Sequence, residues 1–116
     1  MAKPGNDASA VRKRLLELHG AIVAIEREDY ERRAGKVSSA DFLRLLVEDP
    51  GWDWLRPLSA LIVQFDEEEV DAIGEARRLV RPDSAGNAFQ QRYAWLIERS
   101  PEVAYAHGTV MQALKK

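Results

Sequence analysis

Four polar side chains with ion-pairing or acid–base chemistry stand inside or beside apolar parts of the sequence: Glu26, Tyr30, Arg56 and Asp66. Glu26 and Tyr30 are one helical turn apart, and Arg56 and Asp66 flank an apolar run. Because a buried guanidinium must be paired and its planar fork matches a carboxylate, we expect an Arg56–Glu26 ion pair. The same set can instead fix helix register, bind an anionic ligand or supply an acid–base pair, and these alternatives stay open.

Two tryptophans lie close to Arg56 within residues 49–66, a segment that contains the most apolar run of the chain. Large aromatic side chains beside a charged group are typical either of a core element or of a recognition surface. Trp54 is in helical phase with Leu58, so we expect it to face the core. Trp52 follows a Pro-Gly turn, and we expect it at the rim. Both are candidate binding residues if this segment is a surface.

Two histidines are the remaining candidate ligands, His19 and His107. Each lies on or beside the apolar stripe of a predicted helix, so the two could meet across a bundle. With Glu26 or Asp66 they would form a metal or haem site. The alternative is that each is half-buried and has one hydrogen-bond partner, since two ligands specify no coordination geometry. We therefore assign no metal and no cofactor.

Motifs of established catalytic chemistry do not occur in the sequence. It contains neither the His-Glu-x-x-His pair of zinc proteases nor the Gly-x-Ser-x-Gly turn of serine hydrolases. The acidic run 66–71 has neither the glycine nor the spacing of a calcium-binding loop, and a solvated helix surface explains it. These observations favour a protein without catalytic activity.

The composition is that of one folded domain. With 116 residues, 46% of them apolar, the chain is long enough to bury a core. Its net charge of -2 provides no broad basic surface, so we expect no nucleic-acid partner. We also expect no membrane partner, because the longest apolar run is too short to cross a bilayer. The absence of cysteine and of a signal-peptide pattern predicts a cytoplasmic protein.

Helical periodicity predicts an all-α fold without strands. Residues 1–6 are expected to form a flexible tail, and residues 7–116 a single domain. The first helix is predicted to start at a cap on Asn6 or Asp7 and to end at Ala34. Apolar residues spaced by three and four form its buried seam: Val11, Leu15, Leu18, Ile22 and Ile25.

The second and third helices are predicted from a cap and two prolines. The pattern at Ser38 predicts the start of a short helix that ends before Pro50. The third helix should begin between Asp53 and Pro57 and continue through the acidic run to Val80.

Two more helices complete the predicted architecture. Asp83 or Ser84 is expected to cap the fourth helix, and Ser100-Pro101 the last. Four longer helices, one short helix and brief connections together predict an up-and-down bundle.

Residues 26–31 and 54–66 resemble segments of small, uncharacterised proteobacterial helical proteins. In those proteins a long first helix precedes a Trp-Leu-Arg-Pro-Leu-Ser-type segment. The resemblance extends over roughly residues 11–70, and it implies a bacterial cytosolic helical protein. It implies no functional residues, because that family carries no assigned activity.

The predicted function is protein–protein interaction or self-association, and a regulatory role is an open alternative within it. The first helix is longer than a bundle of this size needs, so part of its apolar seam could contact another chain. We expect a homodimer, the commonest symmetric assembly. The alternative is a binder of a small molecule, a metal or haem in the bundle interior.

Overall fold

The computed structural model describes residues 4–68 and 71–115, and this part of the chain is all-α, as predicted. It contains six α-helices, one 3-10 helix and no strand. The α-helices are α1 Pro4–Ala34, α2 Ser39–Glu48, α3 Arg56–Asp66, α4 Ala72–Leu79, α5 Ala88–Arg99 and α6 Pro101–Leu114, and the 3-10 helix is Pro50–Leu55.

α1 starts earlier than the sequence predicts. It begins at Pro4 rather than at a cap on Asn6 or Asp7, because proline is tolerated in a first turn whose N–H groups have no intrahelical partner. Residues 4–6 of the predicted tail are therefore helical, and residues 1–3 lie outside the described residues. The predicted end at Ala34 is confirmed. Gly35 follows it with a φ of 89°, and its N–H donates to a carbonyl of the last turn.

The buried seam of α1 is confirmed from Val11 to Ile22 and is covered by the chain itself, whereas Ile25, its predicted last member, is half-buried. Val11, Leu15, Leu18 and Ile22 are fully buried, and α6 and α3 pack along them. This apolar face therefore organises the core, and the part of it that ends at Ile22 offers no surface to a second chain.

The 3-10 helix buries Trp52, which was expected at the rim, and leaves Trp54 partly buried against the core. Three residues per turn place Trp52, Leu55 and Leu58 on one face, and all three are buried. Trp54 falls between the positions of that face and is half-buried. Our expectation that Trp52 lies at the rim was wrong, because it assumed α-helical spacing from Trp54 onward.

The predicted third helix is in fact two helices. α3 ends at Asp66, and Glu68 adopts a left-handed φ of 54° that ends the helical path. A straight continuation from Asp66 to Leu79 would run about 20 Å past the core. The turn instead brings Ala72 and Ala76 back into the buried interior.

The last two helices differ in how well their starts were predicted. The cap of α5 is Asn87, not Asp83 or Ser84, because Asn87 and Gln90 form a reciprocal capping box. Gln90 Nε2 also donates to the carbonyl of Arg78, over 2.9 Å. The predicted cap of α6 is confirmed, since Ser100 Oγ accepts the Val103 N–H over 3.2 Å.

Candidate functional site

A cleft of about 220 Å³ separates the second half of α1 from α5. We call it the α1–α5 cleft. It is lined by Ile25, Glu26, Asp29, Arg32, Arg92, Trp95, Leu96 and Arg99. Within each helix these residues recur every three or four positions, so each helix presents one continuous face to the cleft.

The α5 side of the cleft is built on a well-anchored helix. Phe89, Tyr93 and Leu96 are buried and fix the rotation of α5 about its axis. That rotation turns Trp95 outward, where 41% of it remains exposed. An indole so exposed contributes little to the core, which distinguishes Trp95 from the other two tryptophans.

Glu26, on the α1 side, is a buried carboxylate only 3% exposed. Arg92 binds it through both carboxylate oxygens: Nε donates to Oε2 over 2.9 Å, and Nη2 donates to Oε1 over 3.0 Å. A buried carboxylate needs such a partner because its desolvation is otherwise costly. The sequence correctly placed Glu26 in an ion pair but named the wrong arginine.

The predicted Arg56–Glu26 pair is absent because Arg56 points elsewhere. Arg56 opens α3 directly after the 3-10 helix, and its side chain turns back over that helix toward the end of α2. There Nε donates to Asp53 over 2.6 Å, and Nη2 donates to the Val47 carbonyl over 2.7 Å. Arg56 is exposed. Asp66, the other predicted partner in this segment, forms an exposed ion pair with Arg12.

The remaining aromatic candidates belong to the interior rather than to the cleft. Tyr30 packs on Phe42, with ring centroids 5.8 Å apart, and Phe42 meets Trp52 edge-on at 5.4 Å. Trp54 continues this series toward α5, where it stacks on Phe89 at 6.5 Å. Trp52, Trp54 and Tyr30 thus connect α1, α2, the 3-10 helix and α5. The segment 49–66 is chiefly a core element.

The two histidines are engaged separately. His19 Nε2 lies 3.2 Å from Ser59 Oγ on α3, and His107 Nδ1 lies 2.6 Å from the Tyr93 hydroxyl on α5. Burial lowers the pKa of both imidazoles and raises the pKa of the Tyr93 phenol. Within the described part of the chain, no group of three or more His, Cys, Asp or Glu side chains is placed to hold a metal ion.

Two guanidinium groups stand over the Trp95 ring. The Cζ atoms of Arg92 and Arg99 each lie 4.2 Å from its centroid, within the range of cation–π attraction. Arg92 also reaches the Trp54 ring at 5.8 Å, so it connects the cleft to the interior aromatic series. The spacing Arg-x-x-Trp-x-x-x-Arg on a helix was the signal for this cluster, and the sequence reasoning passed over it.

The charges of the cleft do not cancel. Glu26 is paired with Arg92, and Asp29 is paired with Arg33 at 3.2 Å. Among the side chains of residues 8–68 and 71–115, no carboxylate lies within 4.0 Å of Arg32 or Arg99. The cleft therefore presents two arginines without a carboxylate partner from this part of the chain, beside an exposed indole.

The lining of the cleft suits binding rather than catalysis. It contains no hydroxyl, thiol or imidazole, and its two carboxylates are already engaged by arginines. A general base must be free to take a proton, and a nucleophile must be available to attack. The arrangement can attract an anionic group and pack apolar atoms against it.

No protein-family model matches the chain, and comparison with curated proteins and with solved structures found no significant match. Separately, no helix among the described residues combines the length and the apolar character needed to cross a bilayer.

Proposed function

We propose that this helical-bundle protein acts by protein–protein interaction, without catalysis, and that its partner docks on the α1–α5 cleft. The observation that carries the proposal is the exposed Trp95 with the guanidinium groups of Arg92 and Arg99 over its ring. Tryptophan, tyrosine and arginine are the residue types most enriched among those that contribute most binding energy at protein interfaces. The fold does not need this indole for its core, so a role at an interface explains its exposure.

The rigidity of the cluster supports the same proposal. Arg92 is held by two hydrogen bonds to Glu26 and by contact with two indoles. A side chain that is already fixed loses little conformational entropy when a partner binds. Trp95 stands on a helix whose opposite face is buried, so its backbone position is fixed too.

The partner in this proposal is another cytoplasmic protein or a second copy of the chain. The homodimer expected from the sequence stays a prediction, but its original argument no longer holds because the chain itself buries the α1 seam as far as Ile22. Sedimentation equilibrium at tens of micromolar distinguishes a 13.1 kDa monomer from a dimer.

The alternative of a small-molecule, metal or haem binder has no specific observation in its favour. At about 220 Å³, the cleft is smaller than the roughly 300–1,000 Å³ of typical ligand pockets. An absorption spectrum and metal analysis of protein purified from its native host would test this alternative directly.

Affinity capture from native-host extract tests the interaction proposal with a matched pair of variants. Trp95→Ala removes the exposed indole of the cleft, and Tyr105→Ala removes an aromatic residue that is 77% exposed on α6. We expect a specific partner to bind the wild type and Tyr105→Ala but to be lost with Trp95→Ala. Identical capture by all three proteins, with circular dichroism showing that each is folded, would contradict docking at the cleft.

A further inference from the structure

We propose that the group recognised in the α1–α5 cleft is a carboxylate of an acidic peptide segment, bound by Arg99 and Arg32 next to Trp95. This inference rests on the proposed function, since it names the chemistry of the docking partner. It follows from a comparison of two arginines in the same cleft, one with a carboxylate and one without.

Arg92 shows how a carboxylate is held beside this indole. Its Cζ atom lies over Trp95, 4.2 Å from the ring centroid, while Nε and Nη2 donate to the two oxygens of Glu26. A guanidinium that lies over an aromatic ring can still donate its N–H groups to a carboxylate, and Arg92 makes both contacts at once.

Arg99 makes the same contact with the Trp95 ring as Arg92 but has no carboxylate partner among the described residues. Its Cζ atom lies at the same 4.2 Å from the centroid of Trp95. Its edge makes one long contact, from Nη1 to the Trp95 carbonyl over 3.3 Å, and no ion pair with the described residues. An incoming carboxylate could therefore bind the edge of Arg99 without breaking an existing ion pair.

Arg32 supplies a second positive charge to the same cleft from α1. Of the two acidic residues of the lining, Glu26 is paired with Arg92 and Asp29 is paired with Arg33. Arg32 and Arg33 also end α1, and Arg99 ends α5, so all three complement the helix dipoles. That structural role predicts an effect on stability alone, whereas carboxylate recognition predicts an effect on binding.

The size and the floor of the cleft favour a peptide over other anions. About 220 Å³ accommodates one or two side chains, and the half-buried Ile25 and the exposed indole of Trp95 offer apolar contact beside the arginines. A nucleic acid is disfavoured, because specific binding uses many phosphate contacts and this chain carries a net charge of -2. A segment with an acidic residue next to an apolar one matches both parts of the lining.

Titration of isotope-labelled protein with short peptides tests the inference, with the indole N–H resonance of Trp95 as the readout. One set of peptides alternates glutamate with leucine, and the matched set has glutamine in place of glutamate. We expect a saturable shift with the glutamate set that weakens as salt is raised. The glutamine set should bind about tenfold more weakly or worse, because hydrogen bonds between charged groups are lost.

Variants of the cleft arginines separate recognition from simple charge. Arg99→Gln and Arg32→Gln should each weaken binding of the glutamate peptides about tenfold or more. Arg99→Lys keeps the charge but loses the planar edge, so it should restore only part of the affinity. Arg44→Gln is the matched control, since Arg44 is an exposed arginine on α2, outside the cleft. It should leave binding unchanged.

Three results would overturn the inference. Equal binding of the two peptide sets would show that the contact is apolar. An equal response to inorganic phosphate alone would show that the cleft is a simple anion site. The absence of any shift at millimolar peptide would exclude acidic segments. If partner capture still depends on Trp95 in these cases, the proposed function survives and only the acidic ligand is wrong. If capture is also independent of Trp95, both fail.

Discussion

The chain brings tryptophan and arginine together twice, with opposite results. In the segment 49–66, the tryptophans are buried or half-buried, and Arg56 lies on the surface with an exposed partner, Asp53. In α5 the tryptophan is exposed, and Arg92 reaches inward to a buried carboxylate. The same residue types therefore form a core element in one place and a surface cluster in the other.

The difference arises from the element that carries each pair. The 3-10 helix bends the chain between α2 and α3, so Trp52 turns into the space between helices while Arg56 stays at its edge. Phe89 and Tyr93 are buried and fix the rotation of α5 about its axis. In this orientation Trp95 faces outward. The position of an aromatic residue relative to its own helix face, and not its closeness to an arginine, decides whether it is available for recognition.

Alanine in place of each tryptophan should separate the two regions most clearly. Trp52→Ala removes a large side chain that is 8% exposed, so we expect unfolding free energy to fall by about 3–5 kcal/mol. Trp95→Ala loses little buried area and its cation–π contacts, so we expect a loss of about 1 kcal/mol. Denaturant melts of both variants give the comparison. Similar losses for the two variants would contradict the division into core and surface tryptophans.

The buried ion pair should give the next largest effect. Glu26→Ala leaves Arg92 partly buried without its carboxylate, and we expect a loss of about 3 kcal/mol. Asp29→Ala is the control, because its pair with Arg33 is more exposed and should contribute at most about 1 kcal/mol.

A double variant identifies the cause of that loss. If the stranded guanidinium is responsible, replacing both Glu26 and Arg92 by leucine should be less destabilising than Glu26→Ala alone. A double variant that is less stable than the single one would show that the pair itself, rather than its unpaired half, stabilises the fold.

The contrast between Arg56 and Arg92 also shows which features could be predicted from the sequence alone. The α1 seam was predicted because the spacing of Val11, Leu15 and Leu18 is a local signal that burial confirms. The sequence predicted that Glu26 pairs with an arginine but not which one. Its partner Arg92 is 66 residues away, and the contact depends on the rotation of α5.

Two local backbone conformations made the predicted secondary structure wrong. The 3-10 helix changed the residue spacing at Trp52 and Trp54, and the left-handed Glu68 ended a helix whose pattern looked continuous. Neither conformation is encoded by hydrophobic periodicity. The α1–α5 cleft was missed because it needs two helices in a known arrangement.

Arg56→Ala tests the exposed ion pair of the first region against the buried pair of the second. Its ion pair with Asp53 is exposed, so we expect a loss of at most about 1 kcal/mol, well below that of Glu26→Ala. A denaturant melt measures it beside Arg44→Ala, another exposed arginine, whose carboxylate partner is Asp41. A loss near 3 kcal/mol would mean that Arg56 has a buried partner after all and that the two regions are alike.

Lowering the pH should reduce the free energy of unfolding through the core region rather than through the cleft, and this effect should be the smallest of the series. The interior aromatic series ends at Tyr93, whose hydroxyl is bound to His107, and burial lowers the pKa of His107 below its ordinary 6.5. As the pH falls below about 6.5, the unfolded chain takes up a proton that the folded chain resists, so unfolding free energy decreases; above that pH the contribution is constant. His19 adds a contribution of the same sign.

Chemical denaturation between pH 5 and pH 8 measures this dependence in the wild type and in His107→Gln. We expect the slope below about pH 6.5 to be reduced in the variant and to be reduced further when His19→Gln is added. The cleft lining contains no imidazole, so the Trp95 indole N–H resonance should stay unchanged over the same range while the protein remains folded. A Trp95 signal that moves together with the loss of stability would show that the core and the cleft respond as one unit, and the distinction between the two tryptophan regions would then apply to burial but not to energetics.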